Sequence, residues 1–205
     1  MGTLSDEAKS KDFVKQQEQR LLEDIQRGDK RAFAELVTLY ERDVYRICFR
    51  FLGSEDDALD AVQEVFIRVY RSIDKFEGRS SLKTWIYRIA ANTCITISEK
   101  KKKEKEGFLK AITDWWFSKS EPSPEETVVD SESRELNKQV VTEKLMSLPE
   151  IYRMPVILKD IEGLPMEKIS EILDIPLGTV KSRISRGRAV LHDLLRSYCK
   201  VYENG

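Results

Sequence analysis

The sequence predicts an all-helical protein of two small helical domains joined by a flexible linker, the C-terminal one a helix-turn-helix. Three observations predict it. Apolar residues recur three and four positions apart in most segments, the period of one buried helix face. Strand-type alternation is almost absent. Between two periodic blocks the pattern dissolves into SKSEPSPEETVVDSES, whose prolines, serines and acids read as a linker. The divisions expected are a polar N-terminal extension over 1–20, a first block over 21–107, a linker over 108–133 and a second block over 134–202.

The first block opens with RGDKRAFAELVTLYERDVYRICFRFLG. Asp29 is placed to cap a helix whose Phe33, Leu36, Val37, Tyr40, Val44, Ile47 and Cys48 share one face, and Gly53 stops it. SEDDALDAVQEVFIRVYRSIDKF follows, with Ser54 as cap, acids in the first turn, and Ala58, Val62, Val65, Phe66, Val69 and Ile73 inward. Gly78 then breaks the chain. A third helix, SSLKTWIYRIAANTCITI, buries Leu82, Ile86, Ile89 and Ala90 and runs into SEKKKKEKEG. Trp115, Trp116 and Phe117 interrupt the linker. Three adjacent aromatics cannot share one helix face, so they either dock on a neighbouring domain or await a partner.

Composition narrows the class. A chain of 205 residues with 40% hydrophobic and 35% charged side chains fits two small folded units without membrane insertion. No apolar run approaches the roughly 20 residues of a membrane span, and the charged start resembles no signal peptide, which predicts a cytoplasmic protein. Cys48, Cys94 and Cys199 lie far apart and form no CxxC, so neither a disulfide framework nor a metal cluster is expected. Enzyme chemistry finds little support: His192 stands alone, without a triad pattern, a Walker loop, a dinucleotide fingerprint or metal-ligand spacing. No catalytic residue, metal or cofactor is expected.

The second block carries the clearest motif. PMEKISEIL puts Pro165 at a first-turn position and turns Ile169, Ile172 and Leu173 inward; Asp174-Ile175-Pro176 makes a tight connection to a second helix. On that helix Val180, Ile184, Gly187, Leu191 and Leu194 fall on one side, with Gly187 allowing close approach of a neighbour. Lys181, Ser182, Ser185, Arg186 and Arg188 fall on the other. The net charge of −1 hides this polarity. From Glu162 to Asp174 four acids face one Lys, whereas from Pro176 to Arg196 five Lys or Arg face one Asp. Such a helix can bury one face and offer long donors to base edges and phosphates with the other. Pro155 interrupts the preceding helix by removing the amide bond to Ile151, which predicts a kink or early break.

At this point LPEIYRMPVILKDIEGLPMEKISEILDIPLGTVKSRISRGRAVL resembles the promoter-binding domain of extracytoplasmic-function (ECF) sigma factors, dissociable subunits of bacterial RNA polymerase. DDALDAVQEVFIRVYRSIDKFEGRSSLKTWIYRIAANTCI resembles their N-terminal conserved domain, in the right order. The resemblance implies that Asp60, Gln63, Glu64 and Arg68 dock on the beta-prime coiled coil of core polymerase, with the second block at the beta flap. Positions 60, 64 and 68 form one polar stripe, as a plain solvated face also would. Ala61 stands where Leu or Ile is usual.

The resemblance further assigns capture of an unstacked minus-ten base to Phe76, Gly78, Arg79, Ser80 and Ser81, extended by Trp85, Tyr87, Arg88 and Asn92. A glycine loop with donors and nearby rings suits that task, although Trp85 and Tyr87 also suit core or boundary positions, Trp85 as well as it suits base contact. Lys100 and Lys101, in the run to Lys103, would bind phosphate without reading sequence, or simply form a solvated helix end. Thr96 and Ser98-Glu99 depart from the family's usual Asp and hydrophobic-Arg pattern. For the minus-35 element it assigns base contacts to Lys181, Ser182, Ser185 and Arg186, with Thr179, Arg183 and Arg188 nearer the phosphates. Promoter DNA, core polymerase and an anti-sigma factor are the partners it implies. The alternative is a helix-turn-helix regulator that binds duplex DNA without polymerase.

Overall fold

The computed structural model describes residues 18–116 and 141–203, with side chains described over 18–106 and 141–196. Most of the expected linker, and the side chains of Trp115, Trp116 and Phe117, lie outside the described residues. The elements run α1 (18–26), α2 (Lys30–Leu52), α3 (Glu55–Ser72), a 3-10 turn (Ile73–Lys75), α4 (Leu82–Trp116), α5 (141–146), α6 (Glu150–Val156), a π-helical segment (Ile157–Ile161), α7 (Met166–Leu173) and α8 (Leu177–Glu203). No strand occurs among the described residues.

Local chemistry sets the ends of these helices. The Asp29 carboxylate accepts the Arg31 amide at 2.7 Å and starts α2. Gly53 ends it in the left-handed region at φ 74°, its amide donating to Phe49 O at 2.9 Å. Ser54 caps α3, with Glu55, Asp56 and Asp57 in its first turn where the positive helix end favours them. The Ser81 hydroxyl accepts the Thr84 amide at 3.1 Å and starts α4. That helix runs on past Gly107, where the sequence pattern closes the first block, because KKKKEKE and FLKAI are strong helix formers and one interior glycine costs only about 1 kcal/mol.

Along α2, Leu36, Tyr40, Val44, Ile47 and Cys48 are buried as the spacing requires, joined by Phe51; on α3 the same holds for Ala58, Val65, Phe66 and Val69. Ala61 is fully buried, so its departure from the family pattern falls in the core rather than on a docking face. Tyr87 is also a core residue, not part of a DNA surface: it is fully buried, and its hydroxyl donates to Asp43 at 2.8 Å. On α4 the apolar arc is wide, taking in Ile86, Tyr87, Ala90, Ala91 and Cys94, because α4 packs against α2 and α3 and also against α7.

In the second block Pro155 lies in the last turn of α6, and the chain then opens into the π-helical segment. The Ile157 amide is shared between Arg153 O and Met154 O, and Glu162 N–H reaches back to Ile157 O at 3.1 Å. Asp174 ends α7 at φ 52°, its amide donating to Ser170 O. The Ser170 hydroxyl ties down the turn through Ile175 O at 2.6 Å, and Pro176 O receives the Thr179 and Val180 amides that begin α8. Gly187 seats α8 on α6: a Cβ there would lie 2.7 Å from Val156 Cγ2 and 3.2 Å from Tyr152 Cβ.

The two blocks share one hydrophobic cluster, with Leu36, Phe51, Val65 and Ile86 from the first and Leu148, Met154, Ile157 and Ile169 from the second. Arg153 pins them together. Only 6% exposed, it donates to Phe51 O at 2.8 Å, Met146 O at 2.7 Å and Leu148 O at 2.8 Å, and lies over the Phe51 ring. Burial pulls its pKa below the ordinary guanidinium value, and the three carbonyls offset that desolvation. Arg46 forms a two-bond fork with Glu162, at 2.6 and 2.7 Å, and Ser98 donates to Glu150 at 2.8 Å. The unusual Ser98 is thereby a joining residue between blocks.

Candidate nucleic-acid and polymerase interfaces

Three surfaces collect the residues singled out by sequence. The first is the outer face of α8. Lys181, Ser182, Ser185 and Arg186 are exposed, with Thr179 and Arg183 half-buried at their edge. Neither Lys181, Arg183 nor Arg186 forms an ion pair among the described residues, and the charges of Lys181 and Arg186 face solvent. Arg188 differs: its guanidinium forks onto both Asp160 oxygens in the π-helical segment, one contact at 3.0 Å, which raises its pKa through the Asp160 hydrogen bond and charge. Any phosphate must compete with that carboxylate.

The second surface is the loop before α4. Gly78, at φ 70° with no atom near its missing Cβ, turns the backbone outward. The Phe76 and Trp85 rings lie 5.2 Å apart, tilted by 49°, both half-buried. Arg79 is exposed and paired with Glu77, while the Ser81 hydroxyl is occupied at the α4 cap. Ser80 remains at the rim between two clefts. Arg88 donates to the backbone carbonyl of Glu171 in α7, so the second block sits over this part of the surface. Asn92 is exposed, its carbonyl accepting from Thr96 at 2.8 Å. Lys100 pairs loosely with Glu104 at 3.8 Å and Lys101 pairs with Asp57, which neutralises part of the basic run.

The third surface is the outer face of α3. Asp60 and Gln63 are exposed, and Glu64 and Arg68 pair at 2.6 Å. Beside them stand Leu59 (48% exposed), Ile67 (43%) and Tyr70 (53%). Sequence reasoning missed these three. The signal was present, since each is apolar yet falls off the buried stripe of the same helix. An exposed face that mixes apolar and charged side chains is composed like a protein interface.

Comparison with known proteins agrees with this layout. Residues 36–104 match the profile of Sigma-70 region 2, and residues 138–191 that of Sigma-70, region 4. The chain is 39% identical over 183 residues to the ECF RNA polymerase sigma factor SigW of Bacillus subtilis (strain 168), covering 85% of this chain and 95% of that protein. It is 36% identical over 189 residues to the ECF RNA polymerase sigma-E factor of Escherichia coli (strain K12), covering 85% and 92%. Among solved structures, the sigma factor RpoE from Bartonella quintana, in complex with the anti-sigma factor NepR, superposes with a TM-score of 0.59 at 26% identity, covering 80% of this chain and 96% of that one. The region 2 match spans the α3 face and the loop before α4, the region 4 match spans the helix-turn-helix, and the chain belongs to the ECF sigma factors, the subunits that direct RNA polymerase to promoters.

Proposed function

We propose that the three surfaces divide the work of initiation. The α3 face, with Asp60, Gln63, Glu64 and Arg68 among Leu59, Ile67 and Tyr70, docks on the beta-prime coiled coil of core polymerase, and the second block meets the beta flap. The loop over Phe76, Gly78, Arg79, Ser80 and Ser81, with Trp85, Arg88 and Asn92, holds an unstacked minus-ten base, and Lys100 and Lys101 attract phosphate. Thr179, Lys181, Ser182, Arg183, Ser185, Arg186 and Arg188 engage the minus-35 duplex. The protein acts in the cytoplasm, catalyses no reaction itself, and is held in check by an anti-sigma factor, the type of partner with which the Bartonella quintana relative was solved.

The observation that carries this assignment is the α8 face, where Lys181 and Arg186 are exposed and unpaired on the second helix of a helix-turn-helix. Arginine in the major groove reads guanine through a two-bond fork, worth about 1–3 kcal/mol of discrimination. The test is transcription from fragmented bacterial genomic DNA by core polymerase with and without the protein, with starts mapped. New starts preceded by two shared, spaced elements are expected. Arg186→Ala should relax one position of the upstream element, and Arg188→Ala should lower occupancy at all promoters alike. Tight promoter-duplex binding by the free protein, with no polymerase-dependent starts, would instead favour the stand-alone regulator.

A further inference from the structure

The joint between the blocks includes one side chain that an oxidant can alter. Met146 ends α5 in the second block, and its thioether is seated on Gly53, the left-handed cap of α2 in the first. The seat exists because Gly53 has no side chain: a Cβ there would lie 2.7 Å from Met146 Cγ and 2.8 Å from Sδ. Leu145 and Leu148, close on either side in sequence, are buried in the shared cluster and fix the backbone that delivers the thioether. The sulfur also meets the pin between the blocks. Arg153 Nη1 donates to Sδ at 3.4 Å, and Arg153 Nη2 donates to Met146 O at 2.7 Å.

Exposure sets this methionine apart. Met146 is 37% exposed, whereas Met154 is 1% exposed and Met166 is half-buried. A thioether open to solvent is a target for peroxides, and its sulfoxide is polar and larger by one oxygen, unsuited to an apolar seat. Gly53 and Arg153 already occupy two sides of the Met146 sulfur, so an arriving oxygen finds room on the solvent side. Hydration of that oxygen then draws the side chain off Gly53 and takes a weak acceptor away from Arg153.

We propose that Met146 is an oxidation site for peroxides, and that its sulfoxide loosens the second block from the first. A lone pair on Sδ attacks one oxygen of hydrogen peroxide, and the S–O bond forms as the O–O bond breaks. Sulfur gives up two electrons; the displaced hydroxide takes the proton of the transferred oxygen and leaves as water. Loosening uncovers the α4 surface around Arg88, which Glu171 O holds in the closed arrangement. The oxidation site itself does not depend on what that surface binds.

The test treats the free full-length chain with hydrogen peroxide and follows it by peptide mass mapping and hydrogen exchange. Met146 should gain one oxygen well before Met154 and Met166, and exchange where α7 meets α4 should then quicken by roughly fivefold, the scale of one lost side-chain contact. Met146→Leu keeps the volume and removes the sulfur, so its exchange pattern should be the same before and after peroxide. Methionine sulfoxide reductases for both epimers, with a dithiol that becomes a disulfide as the oxygen leaves as water, should restore slow exchange in the oxidised chain. Four results each overturn the inference: oxidation of Met146 no sooner than of Met154, exchange that is unchanged or slower once Met146 carries oxygen, the same quickening in Met146→Leu, and quickening that persists after the sulfoxide is reduced.

Discussion

The two surfaces assigned to promoter DNA differ in what lies on top of them. The α8 face is open, with Lys181, Ser182, Ser185 and Arg186 projecting from a helix fixed beneath by Gly187 and the Asp174 turn. The loop and α4 surface is covered: Arg88 is held by Glu171 of α7, and Trp85 and Phe76 are half-buried beside it. A rigid duplex can meet the first without rearrangement of the protein. On the proposed assignment, a single strand approaching the second meets α7 where it packs on α4.

The most forceful way to break that contrast is to remove the pin between the blocks. Arg153→Ala leaves the carbonyls of Phe51, Met146 and Leu148 without their donor and should cost about 3–5 kcal/mol of stability. Calorimetry should show the loss, and hydrogen exchange should show faster exchange where α7 meets α4. An unaltered melting profile would mean that the apolar cluster alone holds the blocks. A smaller effect sharpens the open side. Asp160→Asn releases Arg188 from its carboxylate, so the slope of log affinity against log salt for duplex DNA should steepen by about 1. An unchanged slope would show that Arg188 does not meet phosphate.

The smallest effect concerns the support under the covered surface. Burial raises the Asp43 pKa, but hydrogen bonds from Tyr87, Lys83 and Arg46 outweigh it and hold the carboxyl below its ordinary value of 3.8. A depressed carboxyl stabilises the fold fully above its unfolded pKa, and that contribution fades as pH falls through the folded one. Thermal midpoints should therefore drop more steeply with acid below about pH 4 in the unaltered protein than in Asp43→Asn. Parallel acid limbs would show that this network contributes nothing in that window.

Much of the fold was legible because its causes are local. Asp29, Ser54, Gly53 and the Asp174-Ile175-Pro176 turn act within a few residues of themselves, and the apolar period marks each buried stripe. Pro155 announced a break in the helix, although nothing in the sequence announced that the chain continues as a π-helical segment over Ile157–Ile161. Block-to-block contacts were not legible. Arg46 and Glu162 meet across 116 residues of sequence, and nothing around either residue marks the partner. Tyr87 was ambiguous for a related reason: a helix packed on more than one side has an apolar arc wider than a single stripe predicts. On α8 the exposure of Lys181, Ser182, Ser185 and Arg186 was legible, whereas the hold of Asp160 on Arg188 again needed the fold.

Two of the arginines that bind block to block, Arg153 and Arg88, end on main-chain oxygens, those of Phe51 and Glu171 among them. A carbonyl is present whatever side chain its residue bears. Drift at the exposed position 171 therefore leaves the acceptor in place, whereas Phe51 also carries the shared core and the ring beneath Arg153. A genetic screen for open variants should accordingly recover changes at 88 far more often than at 171, and changes at 51 about as often as at 153.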